Sequence, residues 1–217
     1  MEGTGASHEL LSVDEVASYL GVGPITVYRW CRQGRLNAFF TVPDHVIAIA
    51  ATLELLHRLD AAFFQVGEAR GGTLVKCYAG ETSSVDELRA ALTRYGVEVA
   101  HLEAAGRLRF MAEEDPNSGR AEALRRLLTA PASEGRSLWV SFNWVKQVDL
   151  DTALRQQQAL AELVDTSEVV VKTAVLEQVV DTWPSAEQRR AQAMHQGTIW
   201  IADTGVALSR VAPLPPT

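Results

Sequence analysis

Cysteine, long apolar runs and positive charge are all scarce in this sequence, and each scarcity excludes a class of protein. The two cysteines, Cys31 and Cys77, lie far apart in apolar surroundings, which favours free thiols in a reducing cytoplasm over a disulfide. No apolar stretch approaches the roughly 18–20 residues that span a bilayer. Residues 1–8 lack the charged start and apolar core of a secretion signal. We therefore expect a cytoplasmic protein with no membrane partner.

The charge balance is acidic overall but basic in one short segment. The 217 residues carry a net charge of −7, which argues against a surface coated for nucleic acid. Residues 23–36, however, contain Arg29, Arg32 and Arg35 and no acid, whereas the chain from residue 42 onward holds 23 acids and 17 bases. This distribution is typical of a regulator that contacts DNA with one small element.

The basic segment lies in a pattern that predicts two short helices. Ser12 and Glu15 form a capping box that begins the first helix. A glycine turn at 21–23 ends it, and Pro24 suits the first turn of the next helix. Apolar residues at helical spacing supply a shared core, namely Val16, Leu20, Val22, Val27 and Trp30. Two helices around a tight turn predict a helix-turn-helix.

The exposed face of the second predicted helix carries hydroxyl and guanidinium groups. The four residues that we interpret as contacts to double-stranded DNA are Thr26, Tyr28, Arg29 and Arg32. Such side chains donate to phosphates and to base edges. The alternative that this spacing leaves open is a plain helical hairpin with a solvated basic face.

Residues 10–36, with the sequence LLSVDEVASYLGVGPITVYRWCRQGRL, closely resemble the excisionase-like and MerR-like helix-turn-helix family. The resemblance implies a DNA-binding domain, at residues 1–41, whose second helix is the recognition helix. The family continues into a basic wing, whereas residues 37–43 here, NAFFTVP, contain no arginine or lysine. Because phosphate contacts supply much of the affinity for DNA, the missing wing makes a homodimer the expected binding form.

Strand and helix patterns alternate through the rest of the chain. Apolar runs predict six strands, at 46–50, 73–78, 108–111, 137–142, 168–173 and 198–202. Helical spacing predicts helices at 52–68, 84–95, 99–105, 120–129, 150–164 and 185–196. Strands separated by helices favour right-handed crossovers, so we expect a three-layer α/β domain with a mainly parallel sheet at 42–212. A disordered tail is expected at 213–217.

This order of elements behind a helix-turn-helix resembles the MEDS family, the sensory domain of bacterial regulators of the DcmR type. The stretches HVIAIA at 45–50, GVEVAHLEAAGRLRF at 96–110 and RSLWVSFNW at 136–144 carry the resemblance. It implies a RecA-like or KaiC-like core that senses small molecules and commonly lacks the phosphate loop. The chain departs from the family pattern at 142–143 and at 171–174, so no family ligand is carried over.

Catalytic motifs are missing from the sequence. The segment after the first predicted strand, at 50–53, has neither the glycines nor the lysine of a phosphate loop. There is also no G-x-S-x-G elbow and no H-E-x-x-H pattern, so we predict a protein that is not an enzyme and uses no cofactor or metal. The five histidines lack ligand spacing and are interpreted as surface or capping residues: His8, His45, His57, His101 and His195.

Polar residues at the predicted strand ends are the candidates for ligand binding, because open α/β sheets bind ligands beyond the carboxyl ends of their strands. The six candidates are Tyr78, Glu81, Asn143, Trp144, Lys172 and Thr173. This set could hold a polar small molecule, with Trp144 as a stacking wall. The alternative is that these residues merely end strands and cap helices.

Three functions are compatible with these patterns. The leading hypothesis is a transcriptional regulator in which a small-molecule effector or a protein partner binds the α/β domain and changes the spacing of two helix-turn-helix modules on DNA. The second is a non-enzymatic interaction module whose wingless helix-turn-helix docks protein instead of DNA. The third is an enzyme of unknown type, which no nucleophile or cofactor motif supports.

Overall fold

The structure is a computed structural model that describes residues 39–79, 84–113, 119–129, 135–146 and 149–210. Several predictions fall outside these residues. They concern the DNA contacts Thr26, Tyr28, Arg29 and Arg32, the cysteine Cys31, the ligand candidate Glu81 and the tail at 213–217.

Strands and helices alternate along the described part of the chain, as predicted. The strands are β1 (Asp44–Ala50), β2 (Thr73–Ala79), β3 (Leu108–Glu113), β4 (Leu138–Trp144), β5 (Val169–Leu176), β6 (Gly197–Ala202) and β7 (Gly205–Arg210). The helices are α1 (Leu53–Ala69), α2 (Val85–Arg94), α3 (Val99–Ala104), α4 (Arg120–Thr129), α5 (Leu150–Val164), α6 (Glu177–Val180) and α7 (Ser185–Ala193).

All seven strands form one sheet in the order β3-β2-β4-β5-β1-β6-β7. Every neighbouring pair is parallel except β6 and β7, which are antiparallel. The expectation of a mainly parallel α/β sheet is therefore confirmed. Strands β1 and β5 are buried along their whole length, because helices cover the sheet on both faces. Helix α1 packs on one face, and α5 packs against α4 on the other.

Two elements were not predicted from the sequence, and several strands are longer than predicted, β4 and β5 by two and three residues at their carboxyl ends. Strand β7 and the four-residue helix α6 are the unpredicted elements. Strand β4 continues to Trp144 instead of ending at 142, and β5 continues to Leu176 instead of ending at 173. Both extensions are largely buried, so packing between the helical layers keeps a polar position such as Asn143 in the strand.

The core begins before β1, at Phe39 and Phe40, which are both buried. The Phe40 ring meets Phe63 of α1 edge-on at a centroid distance of 5.3 Å, and meets Trp139 of β4 at 5.8 Å. A Cβ atom on Gly67 would lie only 2.8 Å from the Trp139 ring. Glycine at 67 therefore lets α1 approach the sheet closely enough to bury this tryptophan.

Arg210, the last residue of β7, fastens the edge of the sheet to the chain just before β1. Its guanidinium donates to both carboxylate oxygens of Asp44, at 2.8 and 3.1 Å, and to the backbone carbonyl of Phe39. It also lies over the Phe39 ring, 5.2 Å from the centroid. The segment that enters the α/β domain is thus held by both the core and an ion pair.

Candidate functional site

The predicted ligand residues that the structure describes lie on two opposite faces of the sheet. Asn143 and Lys172 point toward α1, where both contact Asp60. Thr173 points toward α5 and donates to Gln157 Oε1 at 3.0 Å. Successive side chains of a strand alternate between faces, so Lys172 and Thr173 cannot line the same cavity.

The other two described candidates also separate. Trp144 is buried on the α4 side, where its ring lies 6.1 Å from that of Trp183 and 4.6 Å from the Arg120 guanidinium carbon. Tyr78 lies near the end of β2 and is half-buried. Of the predicted set, the structure brings together Asn143 and Lys172, through a residue that the sequence patterns did not single out.

That residue is Asp60 of α1, which is buried and paired with two lysines. Its carboxylate contacts Lys76 Nζ at 2.8 Å through Oδ2 and Lys172 Nζ through Oδ1. Ser141 Oγ donates to Oδ1 at 2.6 Å, and Asn143 Nδ2 donates to Oδ2 at 2.9 Å. We call these five residues the lysine–aspartate cluster.

The sheet register builds the cluster. Lys76 of β2 is the direct neighbour of Ser141 in β4, and Ser141 is the direct neighbour of Lys172 in β5. The three side chains therefore form one row across three parallel strands, all on the face that α1 covers. Asp60 lies above that row because it shares the buried face of α1 with Leu56 and Phe63.

The charges within the cluster, together with burial, shift the pKa values of its ionisable groups. The two ammonium groups hold the pKa of Asp60 well below its usual range, although burial alone would raise it. Burial lowers the pKa of Lys172 to about 8, and the Lys76 charge adds to that shift while Asp60 opposes it. His57, one turn before Asp60 and half-buried, has its pKa lowered by burial, which the Asp60 charge opposes and the two lysine charges reinforce. The cluster therefore carries an ionised carboxylate and a lysine whose pKa lies below the usual value of a lysine.

A second ionic group lies on the opposite face, around Arg120 at the start of α4. Arg120 Nε donates to Glu113 Oε2 at 3.1 Å, and Nη2 donates to the backbone carbonyl of Asn143 at 3.0 Å. The guanidinium also lies over the rings of Trp144 and Phe142, with 5.2 Å to the Phe142 centroid. Glu113 Oε1, Arg120 Nη1 and Trp144 Nε1 are buried and have no hydrogen-bond partner. Within this group, the charge of Arg120 is balanced by that of Glu113.

Two histidines form a third buried polar group beneath α5. The rings of His45 and His195 lie 4.1 Å apart, and both Nε2 atoms lie within hydrogen-bond distance of Gln157 Oε1, at 3.2 and 3.0 Å. The interpretation of these two as surface or capping residues is wrong, because β1 and the segment after α7 bring them together in the interior. Burial lowers the pKa of both, that of His195 to about 4, and the His195 charge adds to the lowering at His45.

Acid is expected to destabilise the fold through these histidines. Both are neutral when folded, whereas the unfolded chain binds a proton at each with the ordinary pKa of about 6.5. Their contribution is complete above pH 6.5 and is lost as the pH falls toward 4, by up to about 1.4 kcal/mol per pH unit for each histidine. Urea unfolding at pH 7, 6 and 5 measures this slope. His195→Gln is expected to flatten it by about one proton.

His101→Gln is the matched control, because His101 is exposed on α3. This variant should keep the slope of the wild-type protein. Equal slopes for His195→Gln and the wild type would show that the buried pair does not cause the acid sensitivity.

The sequence does indicate the lysine–aspartate cluster, but through lysines inside apolar strands rather than through polar residues at strand ends. Only three of its twenty basic residues are lysines, and two of them, Lys76 and Lys172, interrupt the apolar runs TLVKCY and VVVKTA. A lysine in the middle of a buried strand requires a partner. Asp60 is the acid on the otherwise apolar buried face of helix α1, and a buried acid likewise requires a partner.

Cys77, in β2 beside Lys76, is a free and buried thiol whose pKa is raised by burial. The prediction of a free thiol is thus confirmed for this cysteine.

Within the described residues, no group of three histidine, cysteine or acidic side chains could hold a metal ion. No helix in the described part of the chain is long and apolar enough to cross a membrane.

A family model described as a helix-turn-helix domain matches residues 10–47. The match confirms the predicted helix-turn-helix at this end of the chain, a type of domain that binds DNA. It extends into the first residues of β1, which begins at Asp44. No curated protein sequence matches the chain.

The α/β domain is similar in fold to solved archaeal structures. A KaiC-like protein from the hyperthermophilic archaeon Pyrococcus horikoshii OT3 superposes with a TM-score of 0.51 at 12% identity, covering 74% of this chain and 72% of that chain. Another protein of Pyrococcus horikoshii OT3, solved in a structural study, gives a TM-score of 0.54 at 12% identity over 84% of this chain and 93% of that chain. The chain thus combines a helix-turn-helix domain with an α/β domain whose fold is similar to that of these archaeal proteins.

Proposed function

We propose that this protein is a transcriptional regulator that binds double-stranded DNA through Thr26, Tyr28, Arg29 and Arg32 and whose α/β domain is a sensory domain of the MEDS type. The match of residues 10–47 to a helix-turn-helix domain, directly ahead of a KaiC-like domain, carries this proposal. In this function a small molecule or a protein partner binds the α/β domain and alters the affinity for DNA.

The close connection between the two parts of the chain supports such coupling. The predicted recognition motif ends at Leu36, and Phe39 is already buried in the α/β core. Only two residues separate them, and the Arg210 contacts hold the segment that follows. A change in the α/β domain at β1 therefore acts close to the DNA-binding module, without a long flexible linker in between.

The connection between β1 and α1 argues against a phosphate loop at this position. It consists of Ala51 and Thr52 alone, and Thr52 caps the helix by accepting a hydrogen bond from the backbone of Leu55 at 3.2 Å. A phosphate loop needs several glycine-rich residues whose N–H groups surround the phosphates. The two-residue connection provides no such loop for nucleotide hydrolysis.

The matched segment also supports a dimer on DNA. Its last residues, 44–47, belong to a central strand of the α/β sheet, and residues 37–43, where the resemblance implies a basic wing, contain no arginine or lysine. With fewer phosphate contacts per subunit, two modules on paired half-sites restore affinity.

Gel retardation of genomic DNA fragments by the intact chain tests this function. We expect selective retardation of a few fragments at low salt and weaker binding as the salt concentration rises. If no fragment is retarded and the chain instead retains a protein partner through residues 10–36, the docking alternative replaces the regulator.

A further inference from the structure

We propose that the lysine–aspartate cluster is a receptor for a small oxyanion, a carboxylate or phosphate group on a molecule that also carries an O–H or N–H donor. Binding of the anion follows from the chemistry of the cluster. A consequent effect on DNA affinity rests in addition on the function proposed above.

The first reason is uncompensated charge. Lys76 and Lys172 are 1% and 0% exposed, and the structure gives both of them the same counter-ion, Asp60. No second carboxylate among the described residues contacts either ammonium group. The cluster therefore holds an excess positive charge in the interior, which is costly unless a further anion is present.

The second reason is spare donor capacity. An ammonium group has three N–H donors. Lys76 uses two of them, on Asp60 Oδ2 and on Ser141 Oγ at 3.1 Å, while Lys172 uses one, on Asp60 Oδ1. Lys172 Nζ also lies 5.5 Å from the centroid of the Phe63 ring. No further hydrogen-bond acceptor among the described side chains contacts the remaining donors, and oxygens of one anionic group could accept from them.

The third reason is an unpartnered acceptor next to these donors. Asn143 donates to Asp60 through Nδ2, but its buried Oδ1 has no hydrogen-bond partner. It lies two residues beyond Ser141 on the same face of β4, toward the carboxyl edge of the sheet. Asn143 and His57 are half-buried beside the buried cluster, and the proposal places the entry of the ligand on this side.

Together, donors and acceptor define the ligand. The lysines favour an anionic oxygen, and Asn143 Oδ1 favours a ligand that donates a hydrogen bond. Hydrogen phosphate and a hydroxycarboxylate such as glycolate meet both requirements. Sulfate and acetate offer the anionic oxygens but, at neutral pH, no donor.

Thermal unfolding of the intact chain at pH 7 and constant ionic strength tests this assignment. Sodium phosphate is compared with sodium sulfate, and glycolate with acetate, because each pair differs in the donor. We expect a saturating rise in Tm with phosphate and glycolate, about 5–10 °C at 100 times the Kd, and a smaller, non-saturating rise with sulfate and acetate.

Lys172→Met is the diagnostic variant. It leaves Lys76 and Asp60 as a balanced pair, so it should fold, and it should lose the saturating response. Lys146→Met is the matched control, since Lys146 is the third lysine of the chain and is exposed just after β4. This control should respond like the wild type.

A rise of equal size with phosphate and sulfate in the wild-type protein would overturn the proposal, and so would an unchanged response in Lys172→Met. The comparison of phosphate with sulfate needs no variant, so it decides the question even if Lys172→Met does not fold. These measurements contain no DNA. If the protein responds to the anion but does not retard DNA, only the proposed regulator function is contradicted. If it retards DNA but does not respond to the anion, only the proposed anion receptor is contradicted.

Discussion

Asp60→Asn is expected to lower the free energy of unfolding by about 3–5 kcal/mol, the cost of breaking a buried ion pair by removing one partner. The substitution keeps the shape of the side chain but leaves Lys76 and Lys172 in the interior without a counter-ion. It also replaces one acceptor oxygen by a donor that faces an ammonium or hydroxyl group. Urea unfolding followed by tryptophan fluorescence measures the change.

Two further variants show whether charge is the cause. Glu54→Gln removes an acid from the exposed face of the same helix, where Glu54 pairs with Arg58 at 2.6 Å, and should change stability by less than about 0.5 kcal/mol. The triple variant Asp60→Leu, Lys76→Met, Lys172→Met replaces the charges with apolar groups and should recover much of the loss. An Asp60→Asn protein as stable as the wild type would show that the cluster is not a coupled buried network.

The double variant Arg29→Ala, Arg32→Ala is expected to weaken DNA binding by about 150-fold or more, since hydrogen bonds to charged groups contribute roughly 1.5–3 kcal/mol each and every 1.4 kcal/mol is tenfold. If both arginines contact phosphates, the dependence of log K on log salt should also become shallower by about 2 for each subunit, hence by about 4 for a dimer, close to one for each lost contact. Fluorescence anisotropy with a labelled duplex at several salt concentrations measures both quantities.

Arg125→Ala, Arg155→Ala is the matched control for this variant. It removes the same charge from exposed positions on α4 and α5 of the α/β domain. Its affinity for DNA should stay within about twofold of the wild type if the helix-turn-helix supplies the contacts, apart from long-range effects that salt screens. Equal losses in the two double variants would mean that binding follows net charge rather than the recognition helix.

The fold could be predicted largely from local patterns. Helix and strand periodicities located most elements, and Ser84 forms the predicted capping box with Glu87 at the start of α2. Strand β7 was not predicted because its short sequence directly follows β6, with which it forms a hairpin, and its residue pattern is typical of a loop. The ends of β4 and β5 were placed two or three residues too early, because Asn143 and Thr173 are polar side chains in strands whose length is set by burial.

The site was only partly predictable, for a physical reason. Asn143 and Lys172 were identified from their place near strand ends, but their common partner Asp60 lies 83 and 112 residues away along the chain. Such a pairing depends on sheet order and register, which local periodicity does not encode. The buried pair of His45 and His195 was missed for the same reason.

The salt dependence of DNA binding by the intact wild-type chain tests the central claim most directly. The measurement is the Kd for a duplex selected from genomic fragments, compared with a scrambled duplex, from low to physiological salt. We predict that the selected duplex binds more tightly at every salt concentration and that log K falls with log salt with a slope steeper than about −2. No binding at the lowest salt, or equal Kd values for both duplexes throughout, would contradict the assignment as a DNA-binding regulator.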